Sequence, residues 1–331
     1  MKVNDIRPAI FEKDAKKASL QDAAYLVERK DQFVTVPCPA CGADDCTYKY
    51  SKLGITYVDC NVCTTMYVNP RPSEALLNEF YRISKLYTYW AENIFPSSDA
   101  ARREMMFKPR VDKLLSVCTR GQASLLEVGA AYGTFCEELM SRNVFKRIVA
   151  VEPVPALAQV CRDKGIETIE SAIEKVQMDE LFDVVANFEV IEHLFSPYDF
   201  LKNCNRFLRP GGLMILTCPN GKGFDIELLG TVSSNVDHEH INYFNPHSIQ
   251  ILFERCGFEI VEITTPGKLD AELVRREVLD GTFELADPFL KRVLIGEWER
   301  LGKPFQEFLS SNNLSSSMWV VAKKVADSHK R

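Results

Sequence analysis

A chain of 331 residues with 46% hydrophobic and 26% charged residues can bury one large core with an appendage, or two ordinary ones. A net charge of −6 and no dense Lys/Arg stripe argue against a nucleic-acid partner, and no apolar run approaches the roughly 18 residues a membrane helix needs. The opening MKVNDIRPAIFEKDAKK lacks the apolar stretch of an export signal, so the eleven cysteines read as reduced thiols of a cytoplasmic protein, some of them holding metal.

Residues 1–34 read as an N-terminal helical segment. Over 35–70, CPACGADDC and DCNVC place Cys38, Cys41, Cys60 and Cys63 at C-x2-C-x18-C-x2-C, a spacing in which two knuckles bring four thiolates onto one tetrahedral zinc. The intervening TYKYSKLGITYVDC alternates around a glycine and predicts a hairpin, so the unit is a zinc ribbon with a structural metal. Cys46 falls outside the pairs and reads as a free thiol. Residues 71–120 form a helical linker, with a helix capped by Ser73 and a second helical stretch from Ser98 onward. Tyr87, Tyr89 and Trp90 stand together before that stretch, as packing or as a wall for a substrate.

From about residue 121 to 331, short apolar runs (SLLEVGA, RIVAVEP, ETIES, FDVVANFEV, LMILTCPN) alternate with helical stretches, which predicts a doubly wound α/β sheet. Ligands of such sheets bind off the carboxyl ends of the strands. There LLEVGAAYGTF supplies Glu127, Gly129, Ala131 and Gly133. A dinucleotide turn wants a third glycine where Thr134 stands, and the acidic Glu127 faces a pyrophosphate badly but suits a cationic aminoacyl ligand. Glu152 ends the next strand, 25 residues after Glu127, where a carboxylate can accept both ribose hydroxyls.

These segments resemble the class I S-adenosylmethionine-dependent methyltransferases over roughly residues 122–265. EVGAAYG looks like that family's acidic-x-G-x-G-x-G turn, with Ala131 in place of a glycine, and VAVEP (Glu152, Pro153) like its ribose-binding acid. FDVVANFEVIEHLFSPYDFLKNCNRFLRPGGLMILTCPN looks like its fourth strand, helix, PGG turn and fifth strand. The resemblance implies a seven-stranded Rossmann-like sheet, S-adenosylmethionine as cofactor, and Ala172, Asn187 and Glu189 beside it.

Residues 221–245 form a long connection at the active edge, and VDHEHINYFNP within it packs Asp237, His238, Glu239 and His240 side by side in a chain with five histidines. The cluster reads as acid/base or acceptor-binding machinery, as a bland polar loop, or as a metal site with His193. For methyl transfer the enzyme aligns donor and acceptor and removes a proton, a task suited to a histidine poised by a carboxylate. Sugar C-methyltransferases of deoxysugar biosynthesis are similar: zinc ribbon, Tyr-x-Tyr stretch, and HEH followed by an aromatic pair. That likeness implies His240 as base, Glu239 and His193 against the sugar, His238 among the catalytic group, and Tyr87, Tyr89 and Asp237 against the acceptor. Asp237 stands where those enzymes carry a tyrosine.

FEIVEIT and SSMWVVAKKV read as the last two strands, separated by a helical insertion at about 266–314 that covers the pocket or forms a dimer surface. The reading is a methyltransferase, monomer or homodimer, of a small hydroxylated acceptor: a sugar nucleotide, a glycan precursor or a secondary metabolite. The alternatives are an O- or N-methyltransferase of an unrelated molecule, an NAD-dependent oxidoreductase, disfavoured by Glu127 and Thr134, and a non-catalytic zinc-ribbon adaptor.

Overall fold

The computed structural model describes residues 8–118 and 123–325; the expected boundary at 120/121 lies outside the described residues. Helix α1 (Glu12–Val27) precedes the ribbon strands β1 (Cys46–Lys52), β2 (Ile55–Cys60) and β3 (Met66–Val68). The predicted β1–β2 hairpin is present, pairing Lys52 with Ile55 at its tip.

Helix α2 (Glu74–Ile83) begins where Ser73 Oγ accepts the Leu76 N–H. The chain is helical again from Lys85 rather than from Ser98: α3 (Lys85–Tyr89), α4 (Phe95–Arg102) and α5 (Lys108–Val117) are joined by π-helical turns at Trp90–Ile94 and Arg103–Phe107. Tyr87 and Tyr89 are therefore helical, because Ser84 Oγ caps α3 by accepting the Tyr87 N–H.

The main sheet comprises β4 (Ser124–Val128), β5 (Arg147–Val151), β6 (Glu167–Ile169), β7 (Phe182–Phe188), β8 (Leu208–Pro219), β10 (Phe258–Thr264) and β11 (Ser317–Lys324). Its order is β10-β11-β8-β7-β4-β5-β6. The five strands from β8 to β6 are parallel, and β11 runs antiparallel to both of its neighbours. Helices α6 (Thr134–Ser141), α7 (Pro155–Asp163), α8 (Pro197–Arg206) and α10 (Pro246–Arg255) connect them. All five residues of β4 are buried, as expected of a strand covered on both faces, so its polar Glu127 at the carboxyl end is conspicuous.

The 221–245 connection carries helix α9 (Phe224–Leu229) and a two-residue strand β9 (Asn242–Tyr243). Strand β9 joins the ribbon, giving a four-stranded sheet in the order β9-β3-β2-β1. Ribbon and α/β domain thus share one sheet and one apolar core in which Cys38, Cys60 and Cys63 pack with strand residues of the main sheet. The insertion forms α11 (Asp270–Leu279), α12 (Pro288–Lys291) and α13 (Trp298–Ser311), which bury a separate cluster with Leu229 of α9.

Candidate active site

A cleft of about 2820 Å³ opens at the carboxyl ends of β4, β5 and β7. On one side the β4–α6 turn needs backbone that side chains disfavour. Gly129 has φ +81°, and a Cβ there would lie 2.7 Å from Val190 Cγ2; Gly133, at φ +66°, would meet Ile166 Cδ1 at 2.6 Å. Ala131 accepts φ +48° in the same turn. Its N–H donates to Glu152 Oε2 at 2.8 Å, and the Val154 N–H donates to Oε1 at 2.9 Å, leaving each carboxylate oxygen a lone pair toward the cleft. Burial pushes the Glu127 carboxyl up to about 8, and the Cys136 thiol donates to its Oε2 at 2.9 Å.

Pro153, Ala172 and Glu189 line the same cleft. Glu189, at φ +56°, accepts from Thr217 Oγ1 at 2.6 Å and from Arg110 Nη2 at 3.2 Å. Asn187 is not among the residues that line the cleft. It is fully buried and donates through Nδ2 to the Val128 carbonyl at 2.6 Å, so it ties β7 to the end of β4 instead of facing the cleft.

The facing side is assembled from distant segments. Lys52, at the ribbon hairpin tip, donates to the carbonyls of Ser233 and Val236 at 2.7 and 2.6 Å, and Tyr57 Oη donates to the Asp237 carbonyl at 2.6 Å. Arg71, fully buried, donates to the Val68, Phe195 and Ile241 carbonyls. Asp237 Oδ1 accepts the Glu239 and His240 N–H groups, both at 2.9 Å, folding the loop around its own carboxylate. Asp237 therefore braces the loop and, at 3.4 Å from Oδ2, the His240 ring.

His240 Nδ1 lies 3.1 Å from the Asn235 carbonyl oxygen, which can only accept; the proton therefore sits on Nδ1 and Nε2 is left as a base. The His193 ring stands 4.7 Å from that of His240, centroid to centroid. Its Nδ1 is 3.1 Å from the Glu239 carbonyl oxygen and 3.2 Å from Tyr81 Oη, and burial lowers its pKa to about 3, keeping it neutral. Glu192, with no exposed surface and no hydrogen bond to either carboxylate oxygen, approaches His193 Nε2 to 3.9 Å. Burial raises its pKa well above the ordinary carboxylate value.

Tyr87, His193, Asp237, Glu239 and His240 all line the cleft together with Glu127 and Glu152. Two expected acceptor-side residues do not join them. Tyr89 turns toward Phe11, edge to face at 6.3 Å, because α3 places it on the opposite side from Tyr87. His238 is buried behind the loop against Phe80, because the loop turns around the Asp237 carboxylate and sends this one side chain away from the cleft. Sequence reasoning missed Tyr81, Lys52, Arg71 and Arg110, which belong to no local motif. It also missed Glu192, whose place beside His193 in IEH was the one available signal.

In the ribbon, Cys38 Sγ lies 3.5 Å from Cys63 Sγ and Cys41 Sγ lies 3.5 Å from Cys60 Sγ, and all four sulfurs fall within 4.8 Å of one another. Zinc–sulfur bonds of about 2.3 Å in a tetrahedron set sulfurs about 3.8 Å apart, so this donor set fits that ion. The Gly42 and Thr64 N–H groups donate to the Cys38 and Cys60 carbonyls, shaping the two knuckles. Cys46 stands outside the group.

A model of the methyltransferase domain family matches residues 95–263, about half of the chain. The chain belongs to that family. Its seven-stranded sheet, with the antiparallel β11 beside β8, is the class I methyltransferase fold. Two curated relatives are a C-methyltransferase NovU from Streptomyces niveus, 28% identical over 43% of this chain and 34% of that protein, and a ubiquinone biosynthesis O-methyltransferase from Bradyrhizobium diazoefficiens, 30% identical over 33% of this chain and 46% of that one. The chain thus spans a third to a half of their lengths. Among solved structures, the complex between the Haloferax volcanii Trm112 methyltransferase activator and a methyltransferase matches with a TM-score of 0.50 at 12% identity, over 72% of this chain and 96% of that one, a likeness of fold. Among the described residues no helix is long and apolar enough to cross a membrane.

Proposed function

We propose that this family member transfers a methyl group from S-adenosylmethionine to a small hydroxylated acceptor, a sugar nucleotide or related glycan precursor, with His240 as the base. One observation carries the reading: the glycine turn with its two buried carboxylates and the His193–His240 pair open into a single cleft. The donor set suits the cofactor. Glu152 keeps a further lone pair on each oxygen for vicinal hydroxyls, and Glu127, which burial holds protonated up to about pH 8, ionises beside an aminoacyl ammonium, with Glu189 in the same cleft.

When bound, the cofactor supplies a methyl group already activated on a cationic sulfur. The protein therefore needs to align the acceptor and remove its proton. His240 Nε2 takes that proton; the Asn235 carbonyl and the Asp237 carboxylate hold Nδ1–H and stabilise the imidazolium that forms. Neutral His193 and the exposed edge of Glu239 position the acceptor, and Tyr81 fixes the His193 ring. Zinc on Cys38, Cys41, Cys60 and Cys63 holds the ribbon whose hairpin carries Lys52. The insertion, through Leu273, Arg276 and Glu277 of α11, closes the outer wall of the cleft.

The test is transfer of labelled methyl from S-adenosylmethionine to a panel of sugar nucleotides and other hydroxylated metabolites. We expect product with the wild type and a loss of about 10²- to 10⁴-fold with His240→Gln. Transfer at the wild-type rate by His240→Gln would remove the base, and no transfer to any hydroxylated acceptor would remove the substrate class.

A further inference from the structure

We propose that Asp22, His238 and Glu239 form a second divalent-cation site, separate from the four cysteines, which takes a first-row ion through one imidazole nitrogen and two carboxylate oxygens. The His238 ring is 2% exposed and neither of its nitrogens has a hydrogen-bond partner. One donor atom each from Asp22, His238 and Glu239 nonetheless lies within 4.8 Å of the other two. A buried imidazole left bare on both nitrogens is unfavourable, and metal ligation would satisfy one of them.

The lone pairs remaining on the two carboxylates are of the right number. Asp22 Oδ2 already accepts from Ser84 Oγ and the Leu86 N–H, both at 2.8 Å, while Oδ1 accepts only the Lys85 N–H at 3.0 Å and keeps one lone pair. Glu239 has a single long contact, Ser84 Oγ to Oε1 at 3.5 Å, and Oε2 is unengaged. Asp22, buried, and Glu239, half-buried, converge beside the same imidazole, and when ionised they repel each other. A dication cancels both charges. The third ligand is His238, whose ring also packs T-shaped against Phe80 with centroids 5.7 Å apart.

One nitrogen and two hard oxygens suit zinc or manganese and disfavour thiophilic ions. Bonds of about 2.0 Å in a tetrahedron set donors about 3.3 Å apart, within reach of a small rotation of the Glu239 side chain. Such an ion joins α1, the start of α3 and the acceptor loop at one point. It also sets the carboxylate next to His240 without contacting the base. This inference does not depend on the methyl-transfer reading, because it is read by metal binding.

The experiment uses the full chain with its ribbon intact. After equilibration with Zn²⁺ and removal of free ion, mass spectrometry should find two ions per chain in the wild type and one in His238→Leu. Cobalt replacement should then show thiolate charge-transfer bands in both proteins, proving the ribbon folded and loaded. Calorimetry with Mn²⁺, which thiolates take poorly, should titrate one equivalent into the wild type, raise its Tm, and give no binding to His238→Leu. Should His238→Leu fail to fold, Glu239→Gln must lose the same ion. A wild type with one ion and no Mn²⁺ binding overturns the proposal. So does a second ion that survives His238→Leu and leaves with His193→Ala, which would place it on the Glu192, His193 and His240 group.

Discussion

One wall of the cleft is built from a continuous turn, β4 to α6, with the Glu152 carboxylate beside it, whereas the facing wall draws on the ribbon hairpin, α2, the turn after β7 and the loop before β9. The first is held by short backbone hydrogen bonds, such as Ala131 N–H to Glu152. The second is held by long side chains reaching across about 180 residues, Lys52 and Tyr57 to the loop carbonyls. A local turn survives the loss of remote elements; an assembled wall does not. The two sides should therefore respond separately to damage.

The largest separation should come from the ribbon metal. Replacing Cys60 with Ser, or stripping the ion with a chelator, unfixes β1–β3 and with them β9 and the HEH loop, because these share a sheet. We expect transfer to fall below detection while calorimetry with S-adenosylhomocysteine shows binding within a few-fold of wild type; equal loss of both would show that the two sides fold as one unit. His240→Gln should follow, with its 10²- to 10⁴-fold loss confined to turnover and not to cofactor binding.

Asp225, on α9, accepts from Ser233 Oγ and Asn235 Nδ2 and so supports the carbonyl that holds His240. Burial raises its pKa to about 7, above the unfolded value of about 3.9. Its contribution to stability is thus complete below about pH 4 and is lost as pH rises through 7, by up to about 4 kcal/mol. Denaturant melts should show stability falling between about pH 4 and 7 and levelling above that, and Asp225→Asn should flatten that slope; an unchanged slope would show that another group titrates.

Lys52→Met deletes two charged hydrogen bonds without touching the cleft chemistry. With charged bonds worth about 1.5–3 kcal/mol, kcat/KM for the acceptor should drop about 10- to 100-fold while cofactor affinity stays constant. An equal drop in cofactor affinity would merge the two sides. The smallest effect is expected at Ala131, where φ is +48°. Ala131→Gly relieves strain of about 1 kcal/mol, partly offset by unfolded-state entropy, and should change cofactor binding about two-fold at most, leaving the acceptor parameters alone.

The same contrast explains what was legible in the sequence. The cofactor turn could be read because its requirements are local: glycines at set spacing after an apolar strand, a carboxylate at the end of the next strand. The cysteine pairs were legible for the same reason, since four thiols at fixed spacing converge on one point wherever the hairpin lies. His193 and His240 were recognisable as chemistry-bearing residues. That their rings stand 4.7 Å apart, and that Glu192 and Tyr81 complete the group, was not.

Asn187, Tyr89 and His238 show where local pattern misleads. Each is polar or aromatic and adjacent to a cleft-lining residue; strand alternation turns Asn187 away, helix rotation turns Tyr89, and the turn around the Asp237 carboxylate turns His238. By itself the sequence determined the strand order's raw material, the spacing that gathers the four cysteines and the glycine turn after β4, since all depend on contacts within a few dozen residues. Only the tertiary structure decided that the strand after the HEH loop joins the ribbon sheet, that Lys52 and Arg71 secure the wall facing the glycine turn, and that Asp237, Glu239 and His240 line the cleft while His238 does not. Those outcomes depend on long-range packing, which the spacing of residues along the chain does not encode.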